Sequence, residues 1–216
     1  MHQSLYRKEY FSRFGELAAL NHEAYLAYIR FCRSAMAPKY IPAKIKELIA
    51  VAVSHITCCP YCINIHVTGA KRLGATVGEI TESIFVATAL KAGSAMAHSV
   101  NALNAFDELE GDLYQNRYIE RLNEIKALAG DSFNDFFRFD VAAMKPGALS
   151  VKEKELIAVA SAHVTGCPYC IDTHVKNAKK LGVTREELCD CIFVAISAKA
   201  GAAAAQAVNA MMAYDG

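Results

Sequence analysis

Tryptophan is absent, and neither sign of charge dominates: 23 Lys and Arg stand against 22 Asp and Glu in 216 residues, a formal net charge of +1. A near-neutral chain has no bulk electrostatic attraction for nucleic acid. No long apolar run is unbroken; the richest stretch, 194–213, is interrupted by Lys199, Gln206 and Asn209, so no membrane span is expected. The first ten residues lack the apolar core of a secretion signal, which makes a cytoplasmic setting the expectation. Paired cysteines there serve catalysis or metal binding more often than standing disulfides. Only five prolines occur (Pro38, Pro42, Pro60, Pro146 and Pro168), none inside a long periodic segment. Alternating Val/Ile/Thr-rich runs are also missing, so no sheet is predicted. The segments between the prolines are rich in Ala, Leu, Lys and Glu, all good helix formers, and the fold class expected is all-α.

What the chain does have is an internal repeat. Shifting the sequence by 108 residues places Lys46-Glu-Leu-Ile-Ala-Val-Ala52 on Lys154-Glu-Leu-Ile-Ala-Val-Ala160, and Cys59-Pro-Tyr-Cys62 on Cys167-Pro-Tyr-Cys170. Over 44–106 against 152–214 there are 36 identities without a gap. Chance similarity between Ala-rich helices cannot produce an ungapped match that includes Cys, Pro, Tyr and His. Two units follow, 1–108 and 109–216, with the acidic stretch 107–112 as the junction. Within each unit the patterning predicts a helical N-terminal region over 4–34, a short amphipathic helix over 43–55, and a helix from Pro60 to about Gly74. A long helix then opens at Thr76-Val-Gly-Glu79, whose copy is Thr184-Arg-Glu-Glu187; both fit a capping box.

Each unit carries Glu, Cys-Pro-Tyr-Cys and His at fixed spacing: Glu47, Cys59, Cys62 and His66, then Glu155, Cys167, Cys170 and His174. Pro60 and Pro168 suit the first turn of a helix, which places both cysteines of each pair at its start. Unpaired N–H groups and the positive dipole end favour thiolate there. Cys62 and His66 are four residues apart, on one helical face, with Cys59 three residues back on the same side. The pair can close a disulfide within one turn, so nucleophile and resolving partner share one motif. Glu47 lies on the preceding helix; if the two helices fold back on each other, its carboxylate can orient His66.

Other assignments were weighed. Four Cys from two CxxC pairs could hold one zinc, but the pairs are 108 residues apart and each has its own His and Glu. The recurrence of Glu at one offset from the cysteines favours a catalytic role over an ordinary solvated helix position. His55 and His163 repeat eight residues beyond their Glu and read as core histidines or residues supporting the site. Tyr61 and Tyr169 either pack or hydrogen-bond a substrate. Cys32, Cys58, Cys189 and Cys191 have no counterparts and read as structural or incidental thiols; Ala-rich 200–207 reads as a helix-packing surface.

The order Glu, eleven residues, Cys-x-x-Cys, three residues, His, found twice, resembles the core of the AhpD-like alkylhydroperoxidases within the carboxymuconolactone decarboxylase superfamily. The resemblance covers both repeats and nearly the whole chain. It implies an all-α fold, assembly of units into trimers or hexamers, and thiol-dependent peroxide reduction without a cofactor or metal. By that resemblance Cys62 and Cys170 attack the peroxide, Cys59 and Cys167 resolve the sulfenic acid, and Glu47–His66 and Glu155–His174 relay protons. The helix dipole alone would favour the first cysteine; the His one turn beyond the second favours the second. Expected partners are a hydroperoxide substrate and a dithiol reductant, because no Gly-rich nucleotide loop is present. Alternatives are a protein disulfide oxidoreductase or redox sensor, a carboxymuconolactone decarboxylase-like enzyme and a zinc-binding module. Small residues at Ala92, Gly93, Ala95 and Ala97, repeated at Ala200, Gly201, Ala203 and Ala205, suggest close helix packing and a homo-oligomer, a trimer of two-unit chains being favoured.

Overall fold

A computed structural model describes residues 7–112 and 114–215. Among them the chain forms nine α-helices and no strand: α1 (Glu16–Leu20), α2 (His22–Met36), α3 (Ala43–Ile56), α4 (Pro60–Arg72), α5 (Val77–Phe106), α6 (Leu122–Met144), α7 (Val151–Thr165), α8 (Pro168–Lys180) and α9 (Arg185–Asp215). Two 3-10 helices, Lys8–Gly15 and Asn116–Arg121, precede α1 and α6. The repeat is visible as α2–α5 followed by α6–α9. The expected helical region over 4–34 is broken at Asn21, whose side chain caps α2 by accepting from the Ala24 N–H; residues 4–6 lie outside the described residues.

Local chemistry sets the boundaries. Thr76 and Glu79 form the expected capping box, and Thr184 with Glu187 forms its copy. A third box, Ser150 with Glu153, opens α7. Gly74, Gly166 and Gly182 take left-handed φ just past helix ends.

Helices α3 and α7 form the centre. Nine of the fourteen residues of α3 and ten of the fifteen of α7 are buried, so the amphipathic helix expected over 43–55 is instead enclosed on nearly all sides. The reason is that α3 packs on α4, α5, α7 and α9 together. Each fully buried Leu48, Ile49, Val51 or Val53 contributes about 1.5–3 kcal/mol. The apolar helix α9 is long enough to cross a membrane by length and composition, but it packs along α2, α3 and α7.

The first helices are exchanged between repeats. Helix α2 packs on α9 of the second repeat, and α6 packs on α5 of the first. Two buried lysines lock this arrangement. Lys46 Nζ donates to the carbonyls of Ala35 (2.8 Å) and Ala37 (2.6 Å) at the end of α2, and to Asp190 Oδ1 (2.6 Å) on α9. Its copy Lys154 donates to Ala143 O and Lys145 O and pairs with Glu82 on α5. Asp190 and Glu82 also accept backbone N–H groups, from Tyr40 and Ile41 and from Ala148 and Leu149 respectively. Each lysine thus satisfies unpaired carbonyls at a helix end while an acid from the other repeat neutralises it.

Candidate active site

The turn between α3 and α4 brings the repeated residues together. Cys59 is the N-cap of α4, with Pro60 in the first turn; its Sγ accepts the Cys62 N–H at 3.2 Å. Cys167 does the same for Cys170 at 3.3 Å. Helix α4 then folds back along α3, and His66 Nδ1–H donates to Glu47 Oε2 at 2.8 Å. In the second repeat His174 Nδ1–H donates to Glu155 Oε2, also at 2.8 Å. A carboxylate on Nδ1 fixes the ring and leaves Nε2 as its basic nitrogen.

Cys59 and Cys62 are joined as a disulfide, whereas Cys167 and Cys170 are free thiols. In each pair the first cysteine is fully enclosed and the second slightly exposed, 4% for Cys62 and 8% for Cys170. The Cys170 S–H, with help from the Cys170 backbone N–H, His98 and Ser94, lowers the Cys167 thiol to about 6 against the opposing effect of burial. Cys170 is raised, first by donating to Cys167 and then by burial. These effects favour negative charge on the first cysteine of the pair, and the thiol with the greater access is the second.

A cavity of about 180 Å³ meets the first pair. Cys62 and His66 line it, together with Phe14, Tyr28 and Cys32 on one side and Gly201 and Ala205 of α9 on another. The site is built from both repeats: Cys59, Tyr61 and Cys62 pack with Ala202, Ala205 and Val208 of α9, and Cys167, Tyr169 and Cys170 belong to the main core with Ala97 and Val100 of α5. The small residues of 200–207 therefore wall a cavity as well as pack helices. A Cβ on Gly201 would meet the Tyr28 hydroxyl at 3.4 Å.

Other expected residues take structural places. His55 and His163 donate through Nδ1 to Val51 O and Val159 O at 2.8 Å, one turn back on their own helices. Tyr61 is buried against Phe11, and its hydroxyl donates to Asn209 Oδ1; Tyr169 packs on Tyr114 and donates to Gln115 O. Cys191 is buried, donates to Leu156 O and is pushed up to about 12 by burial, the behaviour of an inert thiol. Cys58 is exposed at φ 54°, the left-handed position that Gly166 fills in the second repeat. Among the described residues no three His, Cys, Asp or Glu side chains converge as a metal's donor set would.

Cys32, which reads from the sequence as an incidental thiol, lines the first cavity, and Ser94, His98 and Asp140 beside the second pair have no signal of their own in the sequence. The repeat carries a signal for them only as mismatches. Cys32 falls on Asp140, Ser94 on Ala202 and His98 on Gln206. A further mismatch lies on the acids: a Cβ on Gly69 would stand 2.8 Å from the Glu47 oxygens, whereas Asn177 at the same place donates to Glu155 Oε1 at 3.3 Å.

Comparison with known proteins agrees with this organisation. The family model of the carboxymuconolactone decarboxylase family matches twice, over residues 22–105 and 130–213. An uncharacterized protein of the cox locus of Paracoccus denitrificans is 45% identical over 85 residues, covering 39% of this chain and 77% of that protein. An uncharacterized protein of Cupriavidus necator is 32% identical over 100 residues, 46% of this chain and 86% of that protein. Each relative is thus matched over most of its length by less than half of this chain. The crystal structure of a proposed gamma-carboxymuconolactone decarboxylase subunit from Burkholderia xenovorans superposes with a TM-score of 0.65 over 97% of both chains at 19% identity, a likeness of fold. Matched twice at an interval of one repeat, the chain belongs to the carboxymuconolactone decarboxylase family, which also holds the AhpD-like enzymes, and carries two tandem copies of the family's domain.

Proposed function

We propose that the protein is a thiol-dependent peroxidase of the alkylhydroperoxidase type, with one dithiol/disulfide centre in each repeat. The observation that carries this reading is the first site: Cys62 and His66 line one small cavity, Glu47 holds the ring, and Cys59 lies bonded behind Cys62. A cavity of about 180 Å³ between aromatic side chains suits a small hydroperoxide better than a polypeptide, which favours a peroxidase over an oxidoreductase acting on protein disulfides.

The chemistry follows from the placement. The Cys62 thiol gives its proton to His66, and the sulfur attacks the distal peroxide oxygen. The O–O bond breaks, leaving Cys62 sulfenic acid, and the departing alkoxide takes the proton from His66 to become an alcohol. The Cys59 sulfur then attacks the sulfenic sulfur, releasing water and forming the Cys59–Cys62 disulfide. The pair is oxidised by two electrons and the peroxide reduced by two. An external dithiol restores the reduced pair by exchange, becoming a disulfide itself. Cys170, Cys167, His174 and Glu155 occupy the corresponding positions of the second repeat. The lowered Cys167 thiol favours the thiolate form, which suits the resolving attack.

The test is peroxide consumption with a dithiol reductant by protein carrying Cys62→Ser and Cys170→Ser together. Consumption should fall to the background rate of the dithiol alone. Undiminished turnover would overturn the reading, and faster reaction with protein disulfides than with alkyl hydroperoxides would replace it with the oxidoreductase alternative.

A further inference from the structure

The Glu, Cys and His residues of the two sites match at an interval of 108, but the side chains that surround them do not. At the second pair α5 supplies Ser94 and His98, where α9 offers Ala202 and Gln206 to the first pair. Helix α6 supplies Asp140, where α2 places Cys32 in the first cavity beside Cys62 and His66.

The geometry around His98 is specific. Its Nε2 is buried and makes no hydrogen bond among the described residues. Its ring lies 6.0 Å from Tyr114, which in turn lies 5.9 Å from Tyr169, the residue between Pro168 and Cys170. On the same helix Ser94 is buried, one turn before His98, and adds to the lowering of Cys167. Asp140 is partly buried close to His174, Glu155 and Cys170.

We propose that the two cysteine pairs are chemically distinct, and that His98 and Asp140 are positioning residues of the second pair alone, His98 stabilising negative charge on Cys167 and Asp140 opposing it on Cys170.

The direction of each effect is elementary electrostatics. An imidazole facing an enclosed sulfur favours thiolate; a carboxylate beside a thiol disfavours a second negative charge. These two charges add to the hydrogen bond that Cys170 donates to Cys167, the largest cause of the lowered Cys167 and the raised Cys170. The first pair has Cys32 and Gln206 at the same two places and so lacks the carboxylate and the imidazole. The charged and titratable groups facing the second pair are Glu155 on α7, His174 and Tyr169 on α8, His98 on α5, Asp140 on α6, and Tyr114 and Tyr118 before α6. The proposal concerns the reduced pairs and holds for any oxidant, so it does not depend on peroxide being the substrate.

The test is pulse alkylation of the fully reduced protein with iodoacetamide across pH 4.5–9.5 (about five units spanning the thiol range), with each cysteine quantified by tandem mass spectrometry. Cys167 should label with a midpoint near about 6, below both cysteines of the first pair. His98→Gln, which installs the residue found at the matching position, should raise the Cys167 midpoint by about one pH unit. Asp140→Asn should raise Cys170 labelling at pH 9.5 by up to about tenfold. Cys59 and Cys62 should not move in either variant, which separates a charge effect from general loosening. Coincident titrations of the two pairs in the unsubstituted protein, no shift in the variants, or equal shifts in both pairs would each overturn the proposal. Failure of the peroxidase reading would instead appear as absent peroxide consumption with these titrations intact.

Discussion

Lys46→Met tests how the exchanged helices are held. The ammonium it removes is fully buried and has three acceptors: the carbonyls of Ala35 and Ala37 and Asp190 Oδ1. Methionine fills the stem's volume but leaves the Asp190 carboxylate, 9% exposed, with only the Tyr40 and Ile41 N–H groups, and leaves two helix-end carbonyls without their donor. Breaking a buried pair from one side costs about 3–5 kcal/mol, a large share of a total of roughly 5–15. Lys154→Met should cost less, about 2–3 kcal/mol, because water reaches its partner Glu82, 25% exposed, and screens the charge left behind. Urea unfolding followed by helical circular dichroism measures both. The effect should also reach the first site, since α2 carries Tyr28 and Cys32 into the Cys62 cavity. In reduced Lys46→Met protein, Cys62 should alkylate faster while Cys170 changes little. A cost below about 1 kcal/mol for Lys46→Met, or a larger cost for Lys154→Met, would refute the argument that burial sets the strength of these pairs.

His66→Ala and His174→Ala should each slow peroxide-driven disulfide formation in their own repeat by about 10²–10⁴-fold while leaving the helical content unchanged; a loss of only a few-fold, measured by rapid quench and mass mapping, would make them packing residues. Thr76→Ala should cost about 1 kcal/mol by removing the cap of α5. Lys44 and the Thr76 N–H hold the neighbouring Glu79 carboxyl below its ordinary 4.5, so the stability it provides is full above that pH and is lost as pH falls through the lowered folded value; Lys44→Met should flatten that part of an acid titration. Phe85 and Phe193, matching positions on α5 and α9, are about half exposed, and light scattering at micromolar concentration should give the mass of three 23.5 kDa chains; the mass of one chain would contradict the assembly proposed.

The parts of this structure legible in the sequence are those encoded locally or repeated. The capping boxes at Thr76 and Thr184 are read from four residues each, and the Glu47–His66 and Glu155–His174 bonds were expected because the same offset occurs twice. The exchange of α2 and α6 was not legible: an apolar stripe says that a helix face is buried, not which helix covers it. The burial of Lys46 and Lys154 was not legible either, since it depends on Asp190 and Glu82 from the other repeat. Cys32 was set aside for having no counterpart, yet position 32 faces the first site, and Asp140 at the matching place faces the second. Identity between repeats finds what the two sites share and passes over what distinguishes them.

The most direct test of the central claim is thiol counting with disulfide mapping after fully reduced protein has consumed a known, limiting amount of an alkyl hydroperoxide. The account predicts two thiols lost per peroxide consumed, the bonds formed being Cys59–Cys62 and Cys167–Cys170, with Cys32, Cys58, Cys189 and Cys191 still free. Peroxide consumed without loss of thiols, or a bond between Cys59 and Cys167, would contradict it.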